Sequence, residues 1–143
     1  MFNNVLVVCI GNICRSPVAE EILRQNTSNK DITSAGIHGL DGCMADPYAM
    51  EIAQNNGFNI KDHKAKRLND NHIKNSDLIL CMEQYHINEI IALHPYAAGK
   101  TFLLGHWENK KEIHDPYKKP KDAFTTMFEN IMKSVKEWTT RIN

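Results

Sequence analysis

In the stretch VCIGNICRSP, Val8 to Pro17, a cysteine is followed by five residues and then by an arginine, a serine and a proline. Each residue type suits one part of phosphate chemistry. If the segment curls, the backbone N–H groups of Ile10, Gly11, Asn12, Ile13, Cys14 and Arg15 converge on one point. Gly11 and Asn12 tolerate the left-handed conformations that a curl requires. Ser16 is a good N-cap and Pro17 a good first helical residue, so a helix starting there aims its positive end at the same point. Arg15 adds a planar fork that holds two phosphate oxygens. Cys9 then lies at the floor, its thiolate form favoured by the helix start, the neighbouring cation and a hydroxyl bond from Ser16. Together these make an activated nucleophile facing phosphorus, with amides and guanidinium stabilising the transition state.

A lone cysteine at a strand end is more often a small core residue, and a Gly-Asn turn is ordinary. What points to chemistry is their joint occurrence with Arg15, Ser16 and Pro17 at a strand-to-helix junction. The separation of Cys9 and Cys14 does not match zinc or redox spacings. A reversible disulfide between these two cysteines stays open.

Cleaving a phosphate ester also needs an acid for the leaving oxygen, approaching from another loop. Asp-Pro-Tyr occurs twice, at Asp46–Tyr48 and Asp115–Tyr117. The first runs straight into the helical pattern YAMEIAQNNG, so Asp46 is expected to cap that helix. After the second, proline recurs at Pro116 and Pro120, so Asp115 to Lys119 is expected to be an extended loop with no helix to cap. Asp115 is therefore the expected acid, and Tyr117 a platform for an aryl group.

The elements that must position these residues alternate. Val5–Cys9, Asp31–Ala35, Leu78–Met82 and Thr101–Leu104 read as short strands, the first and third buried on both faces. Helices are expected from Pro17, over Pro47–Asn56 and Glu83–Leu93, and from Pro120 onward. The last carries the stripe Phe124, Phe128, Ile131, Met132, Val135 and Trp138. The pattern predicts an α/β fold with a parallel sheet between helix layers, the site lying beyond the strand ends at a switch in strand order.

Composition narrows the classes. Lys+Arg and Asp+Glu balance at 17 each, which leaves no basic footprint for nucleic acid or an anionic membrane. No apolar run reaches the ~18 residues of a membrane helix, and the N-terminus does not read as a signal peptide. The expectation is one domain, 1–143, in the cytoplasm, with cysteines reduced. Cys81 reads as core and Cys43 as an exposed loop residue. The histidines show no ligand spacing, and His63 reads as a packing or helix-start residue. Trp107 and Trp138 read as packing residues.

VCIGNICRSP, then AEEIL, SAGI and HDPY, resembles the low-molecular-weight protein tyrosine phosphatase family over nearly the whole chain. LILCMEQYHI and GHWEN followed by EIHDPY resemble its bacterial branch, which accompanies the tyrosine autokinases of capsule and exopolysaccharide export. The resemblance implies a four-stranded parallel sheet with helices on both faces, flavodoxin-like, with no metal and no cofactor. It implies Cys9 as nucleophile, Arg15 as phosphate ligand, and Asp115 as acid and then base. Asn12 and Ser16 match residues that hold the loop's shape and the thiolate. Ile13, Leu40 and Tyr117 match walls of the aryl pocket. Cys14 matches a second cysteine that traps Cys9 as a disulfide. The implied partner is a phosphotyrosine protein, a membrane tyrosine autokinase, with no nucleic acid and no membrane insertion.

Eukaryotic relatives have two adjacent aromatics after the acid's proline. Here Lys118 follows Tyr117, which leaves a more open, more polar pocket. Thioredoxin-coupled arsenate reductases resemble this chain but need a further cysteine pair, and Cys81 has no partner after it. Protein arginine phosphatases resemble it too, but tend to have threonine where Ile13 stands. An idle phosphotyrosine-binding module would be expected to lose the cysteine, arginine or acid, and all three are present.

Overall fold

A computed structural model describes residues 2–143. At its centre is β1 (Asn4–Cys9), whose five residues after Asn4 are all buried, as in a strand covered on both faces. β2 (Asp31–Gly36), β3 (Leu78–Cys81) and β4 (Thr101–Leu103) complete a wholly parallel sheet in the order β2-β1-β3-β4. The chain leaves β1 for β2 on one side and then passes to β3 on the other. The switch in strand order therefore falls at the carboxyl end of β1, where an open crevice forms. That is the end carrying Cys9.

Alternation along β1 divides the core. Val5, Val7 and Cys9 face α1 (Arg15–Asn26), α2 (Pro47–Asn55) and α5 (Lys121–Ile142). Leu6 and Val8 face α3 (Asp70–Lys74), α4 (Gln84–Leu93) and a 3-10 turn over Pro95–Lys100. On α5 the buried side chains include Phe124, Phe128, Ile131, Val135 and Trp138. Burying each contributes on the order of 2 kcal/mol. Among the described residues, no helix is long and apolar enough to cross a membrane.

Several expectations are corrected. α1 begins at Arg15, with Cys14 as its N-cap residue and no side-chain cap bond. Ser16 is thus inside the helix rather than capping it, because its hydroxyl is drawn into the core beneath the loop. Met132 lies off the buried stripe at 38% exposure; it follows Ile131 by one residue, about 100° around the helix. Strands β3 and β4 end one residue earlier than expected, and α4 starts after Glu83. Neither α3 nor the 3-10 turn was foreseen. α3 is only five residues long and is defined by a polar cap rather than an apolar stripe. The Asn69 side chain accepts from His72 N–H at 3.0 Å, and His72 Nδ1 accepts from Asn69 N–H at 3.1 Å.

Candidate active site

The loop between β1 and α1 is shaped by where its carbonyls go. The oxygens of Cys9, Ile10 and Gly11 accept N–H bonds from Ile37, His38 and Leu40 at 2.9, 2.9 and 3.2 Å. The Asn12 carbonyl accepts from His63 Nε2 at 2.7 Å, and the Ile13 carbonyl from the Asp46 N–H at 2.8 Å. Five successive carbonyls are therefore tied to the surrounding chain. The N–H groups of Gly11, Asn12, Ile13 and Cys14 bond no acceptor among the described residues. Such a nest of free donors suits an anion.

Asn12 turns the curl, at φ 60°, a conformation that asparagine tolerates better than most residues. Gly11 does not adopt a left-handed backbone, contrary to expectation; the glycines that do are Gly42 and Gly57. Asn12 is fully buried, and its Nδ2 donates to Ser16 Oγ at 2.8 Å and to Ser34 Oγ at 2.9 Å. Its Oδ1 accepts from Lys66 N–H at 2.9 Å. Ser16 Oγ in turn lies 2.9 Å from Cys9 Sγ. With both Asn12 donors engaged, the Ser16 hydroxyl hydrogen is free to point at the sulfur.

Arg15 is 1% exposed, so its charge must be met inside the protein. Nη1 donates to Glu83 Oε2 at 2.7 Å and to the Ile113 carbonyl at 2.9 Å. Nε has no hydrogen-bond partner, and Nη2 lies 3.6 Å from Asp115 Oδ2. One edge of the guanidinium is thus anchored and the Nε–Nη2 edge remains available to a ligand.

Both Asp-Pro-Tyr copies form the same small turn. Asp46 Oδ1 accepts from Tyr48 N–H at 2.9 Å and caps α2. Asp115 Oδ1 accepts from Tyr117 N–H at 3.1 Å, so it has a local partner that its loop setting did not suggest. Its other oxygen is the one that faces Arg15. Cys9, Ile10, Gly11, Ile13, Cys14, Arg15, Leu40, Asp115 and Tyr117, with His38, line one cleft of about 260 Å³. Asn12 and Ser16 lie behind it as supports. Asp46 is not part of this lining.

The low molecular weight phosphotyrosine protein phosphatase family matches residues 4–143. The low molecular weight protein-tyrosine-phosphatase Etp of Escherichia coli K12 is 42% identical over 142 residues, covering 99% of this chain and 96% of Etp. The chain belongs to the low molecular weight phosphotyrosine protein phosphatase family. Its enzyme class is accordingly protein-tyrosine phosphatase. The crystal structure of the tyrosine phosphatase Wzb from Escherichia coli K30 in complex with sulphate superposes with TM-score 0.97 at 38% identity, covering 100% of both chains. A more distant likeness is the YwlE arginine phosphatase of Geobacillus stearothermophilus, with TM-score 0.92 and 25% identity over 97% of this chain and 92% of that one.

Sequence reading missed several residues of this phosphatase site. Glu83, expected from the sequence only as a helix start, is an ion-pair partner of Arg15. His63, read as packing or helix start, instead braces the loop through Asn12. Gly36, which the sequence suggests only as the close of the second strand, has a further role: a Cβ there would run into the Ile10 carbonyl and the Asn12 amide. Glycine here permits a close backbone approach. No local signal marks these contacts, because each partner is distant in sequence. Trp107, though 43% exposed, packs edge-on against Trp138 at 5.5 Å between ring centroids, with the Arg141 guanidinium 3.9 Å from its own centroid.

Two further groups of the phosphatase have shifted titrations. Burial, with the nearby carboxylates of Asp46 and Asp115, raises the Cys14 thiol well above its ordinary range. His86 is fully buried, and burial with the Arg15 charge lowers it to about 4. Its Nδ1 accepts the Glu83 N–H at 3.2 Å, a bond that needs the neutral ring. Cys81 is buried in β3 on the Leu6–Val8 face of the sheet, and Cys43 is exposed. Among the described residues, no cluster of three His, Cys, Asp or Glu is placed to hold a metal.

Proposed function

We propose that Cys9 attacks the phosphorus of a protein phosphotyrosine in line with the tyrosine oxygen. The S–P bond forms as the P–O bond to tyrosine breaks, and Asp115 protonates the departing oxygen. A water then attacks the phosphocysteine and gives its proton to Asp115. Inorganic phosphate leaves and the S–P electron pair returns to Cys9 as thiolate. The N–H groups of the loop and the Nε–Nη2 edge of Arg15 hold the non-bridging oxygens through both steps. Ser16 supports the thiolate, and Asn12 holds the loop that presents it. Ile13, Leu40 and Tyr117 clasp the ring.

The observation that carries this reading is the shared cleft. Cys9 and Arg15 from one end of the chain and Asp115 from the other line a single pocket, with Asp115 Oδ2 at 3.6 Å from Arg15 Nη2. The sulphate bound by the related Wzb supports a tetrahedral anion in the loop. The apolar side chains of Ile13 and Leu40 beside the Tyr117 ring suit a flat phenyl group better than a guanidinium. Disulfide relay through Cys81 is disfavoured, because that thiol is fully buried. The physiological substrate we assign is a phosphotyrosine protein, the membrane tyrosine autokinase of capsule or exopolysaccharide export, reached from the cytoplasm. The likeness to Etp and Wzb supports that branch.

Cys9→Ser is expected to lower turnover of p-nitrophenyl phosphate by at least ~10³-fold while phosphate still binds. A wild-type rate in that variant would end the mechanism. Asp115→Asn should slow phenyl phosphate more than p-nitrophenyl phosphate, since the poorer leaving group needs the proton more. Equal losses would place the acid elsewhere.

A further inference from the structure

A second cleft of about 360 Å³ adjoins the first, with Tyr117 lining both. Asp46, Pro47, Tyr48, Lys118, Lys119 and Phe124 complete it. The two Asp-Pro-Tyr turns meet there, and Tyr48 and Tyr117 remain 42% and 44% exposed. Tyr48 is held edge-on to the buried Phe124 ring at 5.3 Å between centroids, so its exposed face is positioned by the core. Lys121 Nζ lies 5.4 Å from the Tyr48 centroid and 2.9 Å from Glu51 Oε2. Lys118 Nζ lies 5.5 Å from the Tyr117 centroid, and Lys119 is exposed. The steps at Cys9 use none of Pro47, Tyr48, Lys119 or Phe124.

We propose that this cleft is a substrate subsite for a large apolar side chain, aromatic by preference, from the same polypeptide as the phosphotyrosine, with carboxylates beside it meeting Lys118 and Lys119. The proposal rests on phosphotyrosine hydrolysis at Cys9. Its walls are two tyrosine rings, a proline and a phenylalanine, which gain most by covering apolar surface. Its rim carries lysines, which complement an acidic segment. The Asp46 carboxylate is already occupied in capping α2. The cleft adjoins the phosphate pocket at Tyr117, so its occupant is placed within a few residues of the phosphotyrosine. A residue that near a bound phosphotyrosine is delivered to the cleft without a separate association cost.

The test uses phosphotyrosine peptides with phenylalanine at the second or third position on either side, flanked by glutamate, against counterparts with alanine and glutamine. In the wild-type protein, at least one phenylalanine peptide should exceed its counterpart about tenfold in kcat/KM. Tyr48→Ala should reduce that preference to less than about twofold, and Lys119→Glu should remove the part due to glutamate. Both variants should keep the wild-type kcat/KM on p-nitrophenyl phosphate, which is too small to reach the cleft. Absence of preference in the wild type, a preference unchanged in both variants, or an equal loss on p-nitrophenyl phosphate would overturn the subsite while leaving hydrolysis at Cys9 intact. Failure of the wild type to turn over p-nitrophenyl phosphate would instead remove the hydrolytic reading, and the subsite with it.

Discussion

Glu83 Oε2 lies 2.7 Å from Arg15 Nη1, joining the end of the third strand to the start of the first helix across 68 residues of sequence. The arginine is 1% exposed and the glutamate 28%. The pair settles which edge of the guanidinium is spent inside the protein and which is left for a phosphate.

Removing the glutamate leaves a buried cation with a carbonyl and a more distant carboxylate. Glu83→Ala should cost about 2–3 kcal/mol of stability, because breaking one side of a buried pair is expensive. Inhibition by inorganic phosphate should weaken about tenfold as Arg15 loses its anchor. Glu83→Gln keeps an acceptor oxygen and should fall between. Denaturant melts and phosphate inhibition constants check both; unchanged phosphate inhibition in Glu83→Ala would show that Arg15 is held without it.

Gly36, the last residue of β2, lies against the loop between β1 and α1. In Gly36→Ala the new methyl would meet backbone atoms of Ile10, Gly11 and Asn12, none of which can rotate away as a side chain would. A stability loss of about 1–3 kcal/mol is expected from overpacking. The larger effect should be catalytic, about a hundredfold in kcat/KM, since displacing the loop by an ångström misaligns its donors. Steady-state kinetics together with a thermal melt separate the two.

His86 makes stability depend on pH. Its folded value, about 4, lies below its ordinary 6.5, with burial as the first cause. Between those values the unfolded chain binds a proton that the folded protein does not. Stability is therefore full above pH 6.5 and falls as pH drops toward 4. The contribution over the whole window is on the order of 3 kcal/mol. His86→Asn should flatten melting temperature against pH in that window; an unchanged slope would assign it to other groups.

Cys14 shares the cleft with Cys9 and is held as a thiol by burial. Peroxide should convert Cys9 to a sulfenic acid; the Cys14 sulfur then attacks the Cys9 sulfur, the S–O bond breaks, and water leaves as the disulfide forms. Activity lost to brief peroxide should return with dithiothreitol in the wild type and not in Cys14→Ser. Mass spectrometry showing only sulfinic or sulfonic Cys9 in the wild type would sink this route. Iodoacetamide should label the exposed Cys43 and spare Cys81, which is buried within β3.

Much of the fold was readable because its cause is local. Val5–Cys9 and Leu78–Cys81 are continuous apolar runs, which only a doubly covered strand can use. Asp46-Pro47 is a helix start in residue types alone. The curl at Asn12 could be expected from asparagine's tolerance of a left-handed backbone, whereas Gly11 carried the same tolerance and does not use it. The two Asp-Pro-Tyr copies are alike in sequence and in local turn; only their different surroundings set them apart.

The residue order by itself determined the chemical kit: a cysteine at a strand end, a loop of amides, an arginine after five residues, and a carboxylate in a proline-bounded loop. Those choices follow from side-chain chemistry and short-range backbone geometry. Tertiary structure brings Asp115, the carboxylate expected from its loop setting, into one cleft with Cys9, and it alone decided that Glu83 anchors Arg15 and that His63 and Gly36 shape the loop. Each of these depends on parallel crossovers bringing distant segments to the carboxyl end of β1. The energy of such a contact is set by burial and by the partner across the gap, neither of which is written in the neighbouring residues.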